Sequence, residues 1–375
     1  MLIFWKTHVW TGLGGILFTL LIACTTPSQT VTTPAASPAG VTTEAMPTAI
    51  GTTPSRILTV MTHDSFQVSE DVLAEFENHN QATVRFLKSG DTGTALNKAI
   101  LSKGVPLADV FYGVDNTFLS RALKEGIFEP YASPLLAEIP DQFELDPDMR
   151  ALPVDYGDVC LNYDIAYFEQ NQLVPPTNLD DLLKEEYKNL LVVENPATSS
   201  PGLAFLLATI GHYSEDGYLE YWQGLVINGV LVVNDWNTAY YTEFTRVGGT
   251  RPIVVSYGSS PPAEVIFAEE PLEAPPTAAV TSDGSCFRQI EFVGILKGTH
   301  NRPLAEAWID FMLSPSFQED MPLQMFVFPV NPNAQLDETF EKYLANPDNP
   351  ISISPEAIAK NRERWIQAWT EVVLR

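Results

Sequence analysis

The chain has 375 residues, 45% of them hydrophobic, and its 47 acidic and 21 basic side chains give a formal net charge of −26. The hydrophobic share excludes a disordered chain, and the acidic surplus argues against nucleic acid as a partner because phosphate backbones attract Lys and Arg. The length fits two domains of ordinary size, each able to bury a core.

The N-terminus predicts a signal peptide over residues 1–23. One Lys, at position 6, precedes an apolar run over residues 13–23 that is too short to span a bilayer comfortably. The run ends in Leu-Ile-Ala followed by Cys24, which resembles the bacterial lipobox, whose Cys is acylated and becomes the first residue of the mature protein. We therefore expect a body that is lipid-anchored through Cys24 outside the cytoplasmic membrane, in the periplasm or on the outer cell face. An uncleaved N-terminal anchor is the alternative.

Residues 24–55 are predicted to form a disordered tether. After the Cys they are mostly Thr, Pro, Ala, Ser and Gly, with Glu44 as the only charge, and such a segment lacks the apolar surface to fold. Beyond it, Cys160 and Cys286 fall in predicted strands. Outside the membrane they are able to form a disulfide bond, and two buried free thiols are the alternative.

The first half of the body alternates strands and helices, which implies a mostly parallel sheet covered on both faces. The pattern predicts strands over 57–62, 83–87 and 109–114 and helices over 68–79, 94–102 and 117–125. Ligands bind beyond the carboxyl ends of such strands. The loops there carry acids or small polar groups, so we expect the site at 63–66, 89–93 and 115–116.

A second α/β set follows a Pro-rich stretch, with no internal repeat that would indicate a solenoid or propeller. Strands are predicted over 159–163, 190–193, 230–233, 253–256 and 287–296. Helices are predicted over 203–211 and 303–313, and the apolar spacing of Ile358, Trp365, Ile366, Trp369 and Val373 predicts a last helix over 355–375.

Enzyme motifs are largely absent. The sequence has no His-Glu-x-x-His, Gly-x-Ser-x-Gly, Gly-x-x-x-x-Gly-Lys or Cys-x-x-Cys, and no two of its five histidines stand at metal-ligand spacing. We therefore expect a protein without catalysis, metal or cofactor. A secreted hydrolase that combines His63 and Asp64 with Ser259 or Ser260 is the remote alternative, because such sites are recognised by geometry.

Binding chemistry is more abundant. Residues 195–202 place Ser, Thr and Pro before a helix, an arrangement that suits an anion such as phosphate, with a plain helix cap as the alternative. Trp236 and Tyr257 follow predicted strands. Such aromatics pack on a flat or cationic ligand, or on the neighbouring domain.

Several segments in a shared order carry a family resemblance from about Leu58 to Arg375. They are residues 62–66, 113–116, 155–157, 198–202, 236–240, 256–257, 314–318 and 364–369. Together they resemble the thiamine-binding proteins of bacterial ABC importers, within the type II periplasmic binding-protein fold.

The resemblance implies an α/β fold of two lobes, each a mostly parallel sheet flanked by helices, with the ligand in the cleft between them. Residues 56–155 and 298–375 would form one lobe and residues 156–297 the other, joined by crossing strands at 151–163 and 287–296. Closure of the lobes on the ligand would present the loaded protein, a monomer, to an ABC permease and its ATPase.

The resemblance also implies a ligand, which is thiamine or its mono- or pyrophosphate. The phosphate would meet Asp91, Thr92 and Ser199, and the rings would lie between aromatic side chains, near a carboxylate such as Asp64 or Asp115. The implied ligand-binding residues are His63, Asp64, Asp91, Thr92, Asp115, Ser199, Trp236, Tyr240, Tyr257 and Phe326.

Three positions depart from that family. His63 stands where relatives have Tyr, Phe326 where they have a stacking Trp, and Ala263 where they have a second aromatic. The departures leave thiamine, its phosphates and a pyrimidine precursor open as ligands. Ferric iron held by Tyr240 and Tyr241, or another small solute, is the main alternative, and an adhesion module is a further one.

Overall fold

The structure, a computed structural model, describes residues 56–268, 270–347 and 349–375. Ser55–Arg375 forms one compact unit. The predicted signal peptide, lipid anchor and tether lie outside the described residues. Within the described part, no helix has both the length and the apolar character needed to cross a membrane.

The described elements are eleven strands and eleven α-helices, with short 3₁₀ turns and one π-helical turn, Ala239–Glu243, between them. The strands are β1 Arg56–Thr62, β2 Ala82–Lys88, β3 Val110–Asp115, β4 Phe128–Glu129, β5 Leu152–Asp164, β6 Leu191–Glu194, β7 Leu231–Val233, β8 Ile253–Tyr257, β9 Thr277–Val280, β10 Phe287–Leu296 and β11 Phe328–Pro329. The helices are α1 Glu70–Asn80, α2 Thr92–Leu101, α3 Leu119–Glu125, α4 Ile165–Gln170, α5 Ser200–Ile227, α6 Trp236–Thr238, α7 Ser260–Ile266, α8 Arg302–Leu313, α9 Pro315–Met325, α10 Glu338–Tyr343 and α11 Pro355–Val373.

The strands form one sheet, eight of them in the order β2-β1-β3-β10-β5-β8-β6-β7, while β4 pairs with β10, and β9 and β11 pair with β5. At one end β1 pairs in parallel with β2 and β3, and at the other β6 pairs in parallel with β7 and β8. Between these two sets lie the long antiparallel strands β10 and β5. The structure thus confirms two parallel sets joined by two crossing strands.

The crossing strands are also joined covalently. Cys160 on β5 and Cys286, the residue just before β10, form a disulfide bond with their Cα atoms 4.5 Å apart. Of the two alternatives for these cysteines, the structure supports the disulfide bond. The bond lies at the end of the two crossing strands beside β8, where Cys160 pairs with Ser256.

Helix α5 is much longer than the predicted helix over 203–211. Its cap is Ser199, whose hydroxyl accepts from Gly202 N at 3.4 Å, and Pro201 occupies its first turn. The helix continues through a kink at Ser214, which has φ 62°. Its second half packs on α11, where the rings of Trp222 and Trp369 meet edge to face at 5.4 Å.

Candidate functional site

A cleft of about 700 Å³, which includes space open to solvent, lies at the carboxyl ends of both parallel sets. The loops after β1 and β2 form one wall, and the loops after β6 and β7 form the other. Residues from β10 and from the end of α9 complete it. The lining residues are His63, Asp64, Ser65, Gln67, Asp91, Thr92, Ser200, Pro201, Trp236, Asn237, Tyr241, Tyr257, Glu291, Gln324, Met325, Phe326 and Val327.

Asp91 connects the two walls. Its carboxylate caps α2 by accepting from Thr92 N at 2.7 Å, and it also accepts from Trp236 N at 3.1 Å. Burial raises the pKa of Asp91 to about 6 against the opposing effect of these hydrogen bonds and one from Ser199. Asp91 is therefore mostly ionised at pH 7, within the cleft wall.

Trp236 is the centre of an aromatic wall. Tyr240 stacks on it at 4.9 Å and 18°, while Tyr241, Tyr257 and Phe326 meet it at steep angles with ring centroids 5.3 to 6.5 Å away. The Trp236 indole N–H donates to Ser256 Oγ at 3.1 Å, which fixes the ring plane. Such a surface suits a flat or cationic ligand.

Three buried acids lie at the floor of the cleft and behind it, and of these only Glu291 lines the cleft. Glu291 of β10 stands opposite Asp155 of β5 and Asp115 of β3 in the register of the sheet. The Tyr112 hydroxyl donates to Asp155 Oδ2 at 2.6 Å and lies 3.1 Å from Glu291 Oε2. Because a phenol has one proton to donate, a protonated Glu291 fits this arrangement.

His63 and Glu291 approach each other without forming an ion pair, although His63 Nε2 lies 3.7 Å from Glu291 Oε1. Burial, together with nearby Lys88, lowers the pKa of His63 to about 4. Burial and the charges of Asp155 and Asp115 raise the pKa of Glu291 well above its ordinary value. His63 is therefore neutral at pH 7, and the raised pKa of Glu291 favours its protonated form. His63 instead shares a hydrogen bond of 2.8 Å between Nδ1 and Ser65 Oγ.

The structure brings seven of the ten predicted ligand-binding residues to the cleft. They are His63, Asp64, Asp91, Thr92, Trp236, Tyr257 and Phe326. Their contact with a ligand stays a prediction.

Three predicted residues do not line the cleft, because hydrogen bonds within the protein hold each of them behind the cleft wall. Asp115 accepts from Thr117 Oγ1 at 2.7 Å, and burial raises its pKa to about 6. Ser199 is the cap of α5. Tyr240 lies behind Trp236 and donates its hydroxyl to Glu264 at 2.7 Å. Ala263, the position of an expected aromatic in relatives, packs against Phe328 and Phe340, also away from the cleft.

The tyrosine pair proposed for iron is not arranged as a pair of ligands. Burial and Glu264 raise the pKa of Tyr240 well above its ordinary value, and burial raises that of Tyr241 to about 12. Both changes oppose the phenolate form that ferric iron needs. Only Tyr241 lines the cleft, and among the described residues no group of three or more His, Cys, Asp or Glu side chains is placed to hold a metal ion.

The residues of the hydrolase alternative are not assembled either. Ser259 is buried and donates its hydroxyl to the carbonyl of Phe326, and Ser260 pairs with Ser256 at 2.9 Å. Neither serine lines the cleft with His63 and Asp64.

Sequence reasoning missed several lining residues, above all Glu291 and Gln324, and it named Tyr241 only as a candidate iron ligand. A signal existed for Glu291, because it is the one acid of the strand Phe287–Leu296 and stands between Ile290 and Phe292. Such an acid is costly to bury without a purpose. No pattern distinguished Gln324 near the end of α9.

Comparisons with known proteins agree with this geometry. A model of the bacterial extracellular solute-binding protein family matches residues 105–349. The thiamine-binding periplasmic protein of Escherichia coli (strain K12) is 30% identical over 325 residues, which cover 85% of this chain and 94% of that protein. The protein of the same description from Brucella suis biovar 1 (strain 1330) is 29% identical over 325 residues, 85% of this chain and 92% of that protein.

Solved structures show the same architecture. A periplasmic thiamin binding protein superposes with a TM-score of 0.74 at 27% identity and covers 87% of this chain and 98% of its own. A ferric binding protein from Campylobacter jejuni has a TM-score of 0.68 at 18% identity, covering 84% of this chain and 99% of its own. At that identity the likeness shows the fold alone.

Proposed function

Since this chain belongs to the family of bacterial extracellular solute-binding proteins, we propose that its cleft captures thiamine or a thiamine phosphate and delivers it to an ABC permease and its ATPase. The fold is the type II periplasmic binding-protein fold, as predicted. The family is extracytoplasmic, so capture takes place outside the cytoplasmic membrane.

The observation that carries the proposal is the pairing of an aromatic wall with an acidic lining. Trp236, Tyr257 and Phe326 supply the aromatic surface, and Asp64 and Asp91 supply carboxyl groups on the opposite wall. The thiazolium ring of thiamine is flat and permanently positive, so it gains from both surfaces. The gain increases when closure removes water from the cleft.

Capture proceeds by closure of two lobes in this proposal. Residues 56–155 and 298–375 form one lobe and residues 156–297 the other, and β5 and β10 serve as the hinge. The contacts from Asp91 to Trp236 N and from Gly93 N to Thr198 O, at 3.1 and 2.9 Å, run across the cleft walls. They form only when the lobes meet, as in a hinged binding protein.

The same proposal covers attachment and partners. Cys24 carries the lipid, residues 24–55 form the tether, and the body works as a monomer that binds its ligand without catalysing a reaction. This layout supports delivery, because a tether keeps the body near the permease and leaves it free to reorient.

A thermal-shift panel on the full chain tests the proposal. A ligand present at 100 times its dissociation constant stabilises the folded state by about 2.7 kcal/mol, so thiamine compounds are expected to raise the melting temperature. Ferric citrate is expected to leave the melting temperature unchanged, because ferric iron needs phenolate ligands and the raised pKa values of Tyr240 and Tyr241 oppose that form. A shift with ferric citrate alone, or none with any thiamine compound, would overturn the proposal.

A further inference from the structure

We propose that the protein docks on a membrane that contains anionic lipids, through exposed apolar side chains flanked by basic ones. The docking surface consists of residues 56–57, 101–109 and 297–300, at the end of the body where the chain enters it. The inference rests on the proposed lipid attachment through Cys24 and goes beyond capture of the ligand. It is carried by the exposure of these side chains, by their charge and by the position of the tether.

The docking surface presents large apolar side chains to solvent. Leu101 is 88% exposed and Val105 81%, which makes them the two most exposed large apolar side chains in the described part of the chain. Ile57 and Leu107, also exposed, lie with Val105 around a groove of about 660 Å³, which includes space open to solvent. Single exposed apolar side chains are ordinary, but a contiguous group of them is typical of an interaction surface.

The groove is built on the edge of the sheet. Asn301 Nδ2 donates to the carbonyl of Ile57 at 3.2 Å. The buried carboxylate of Asp109 accepts from Thr59 N at 2.9 Å and from Thr299 Oγ1 at 2.5 Å. These bonds join the start of β1, the start of β3 and the loop after β10, so the apolar side chains are presented by a firm edge.

The exposed charges of the docking surface are basic, although the whole chain carries a net charge of −26. Arg56, Lys103 and Lys297 are exposed. The one acid in the three segments, Asp109, is buried, and Glu125 beside them is paired with Lys103 at 3.0 Å. Apolar side chains combined with basic ones bind a lipid surface that carries negative charge.

The proposed tether delivers this surface to the membrane. The chain enters the body at Arg56, so the tether over residues 24–55 joins the body at the docking surface itself. As a flexible coil, a segment of this length has a root-mean-square span of about 30 Å. A lipid at Cys24 therefore gives the docking surface a high effective concentration at the membrane, where weak binding is sufficient.

Two other occupants fit the surface less well. A second copy of the chain would place the same basic side chains against each other, because a symmetric dimer pairs a surface with itself. The tether offers little to Arg56 and Lys297, since Glu44 is its only charge.

Docking in this way leaves the cleft uncovered. The docking surface lies at the amino end of β1, Arg56–Thr62, and the cleft begins just after its carboxyl end, at His63. A strand of this length spans about 20 Å. The membrane and the ligand therefore meet opposite ends of the same strand.

Fluorescence quenching on the lipid-anchored full chain tests the inference. An environment-sensitive fluorophore is attached at position 105 in Val105→Cys, since Cys24 is acylated in the proposed form and Cys160 and Cys286 are bonded to each other. The vesicles contain phosphatidylcholine with or without phosphatidylglycerol, and a phospholipid spin-labelled at its headgroup is the quencher. We expect quenching of about twofold or more with phosphatidylglycerol, and less without it or in high salt.

Val174→Cys is the matched control for the label, because Val174 is 71% exposed and lies outside the docking surface. Its label should not be quenched. Arg56→Glu combined with Lys297→Glu should remove the quenching at position 105. Lys342→Glu combined with Lys360→Glu changes the net charge equally at exposed residues of α10 and α11 and should keep it.

Equal quenching at positions 105 and 174, or none at position 105 in protein that floats with the vesicles, would overturn the inference and leave capture and attachment standing. Protein that does not float with the vesicles would overturn the attachment and the inference together, while calorimetry with thiamine tests capture separately. Self-quenching between the labels of two chains would identify a second copy as the occupant and would also overturn the inference.

Discussion

Trp236 is the side chain on which the proposed binding depends most. It is 8% exposed, stacked on Tyr240 and held by Ser256. Trp236→Ala removes the aromatic face and should weaken thiamine binding at least tenfold, as measured by calorimetry. Trp236→Phe keeps an aromatic face and should recover part of the affinity. An unchanged dissociation constant in the alanine variant would place Trp236 outside the site.

Asp91 should make thiamine affinity depend on pH. Its pKa is raised to about 6, so below pH 6 the carboxyl is protonated in the free protein and a cation must displace the proton. Affinity should be constant between pH 7 and 8 and fall as the pH decreases through 6. Calorimetry across this range measures the effect.

Asp91 should also make the stability of the free protein depend on pH, but in the opposite direction from thiamine affinity. The folded-state pKa of Asp91 lies above the ordinary value of 3.8, so the native state binds more protons between about pH 4 and 6. The Asp91 contribution to the free energy of unfolding therefore decreases as the pH rises through this window. Burial also raises the pKa of Asp115 to about 6 and that of Asp155 to about 7, so D91N is the reference. If D91N shows the same pH dependence of the free energy of unfolding as the wild type, Asp91 is not the source of that dependence. The same comparison of thiamine affinities tests the dependence of binding on Asp91.

At the residue scale, the sequence predicted the side chains that directly follow strands. His63, Asp64 and Asp91 were found because the carboxyl ends of parallel strands meet at one edge of a sheet. The sequence could not show which of the two tyrosines next to Trp236 lines the cleft. Tyr240 and Tyr241 are adjacent, and a turn of π-helix over Ala239–Glu243 sends one behind the wall and the other onto it.

Among the elements, closure of the two lobes requires a close fit between the start of α2 and the loop before α5. Gly93→Ala adds a carbon 2.7 Å from Ala197 O and 2.9 Å from Thr198 O. It should hold the walls apart and weaken thiamine binding about tenfold or more, as measured by calorimetry. Gly104→Ala, where an added carbon meets nothing within 4 Å, is the control and should bind as the wild type does. Equal affinities for the two variants would contradict a closure that brings α2 onto this loop.

The disulfide between the crossing strands should stabilise the body. It closes a loop of 126 residues, for which the chain-entropy model gives about 5 kcal/mol. Cys286→Ser should therefore lower the melting temperature, and a reductant should lower that of the wild type but not of the variant. Cys24→Ser, which leaves the bond intact, is the control. Equal melting temperatures for the wild type and Cys286→Ser would show that the bond contributes nothing.

At the element scale, the order of strands and helices was predictable and several boundaries were not. The strand over Phe287–Leu296 was predicted to the residue, although Arg288, Gln289 and Glu291 interrupt its apolar residues. Helix α5 extends to Ile227, well past the predicted end near residue 211, and its second half buries Tyr218, Trp222 and Leu225 and packs on α11. The prediction stopped short of the kink at Ser214, although these buried residues continue a helical spacing.

For the whole molecule, the central claim is capture of a cation in an acidic, aromatic cleft. The net charge of −26 agrees with it only in sign, since the lining and not the total charge determines what binds. The resemblance identified the family. The structure adds the physical basis for capture, because two parallel sets of strands meet around one cleft.

The measurement that tests this claim most directly is a calorimetric titration of thiamine into the full chain at pH 7.5, with ferric citrate titrated in parallel. We expect saturable binding of one thiamine per chain, with a negative heat-capacity change from burial of the rings, and no saturable binding of iron. Absence of thiamine binding at two temperatures, or saturable binding of iron in its place, would contradict it.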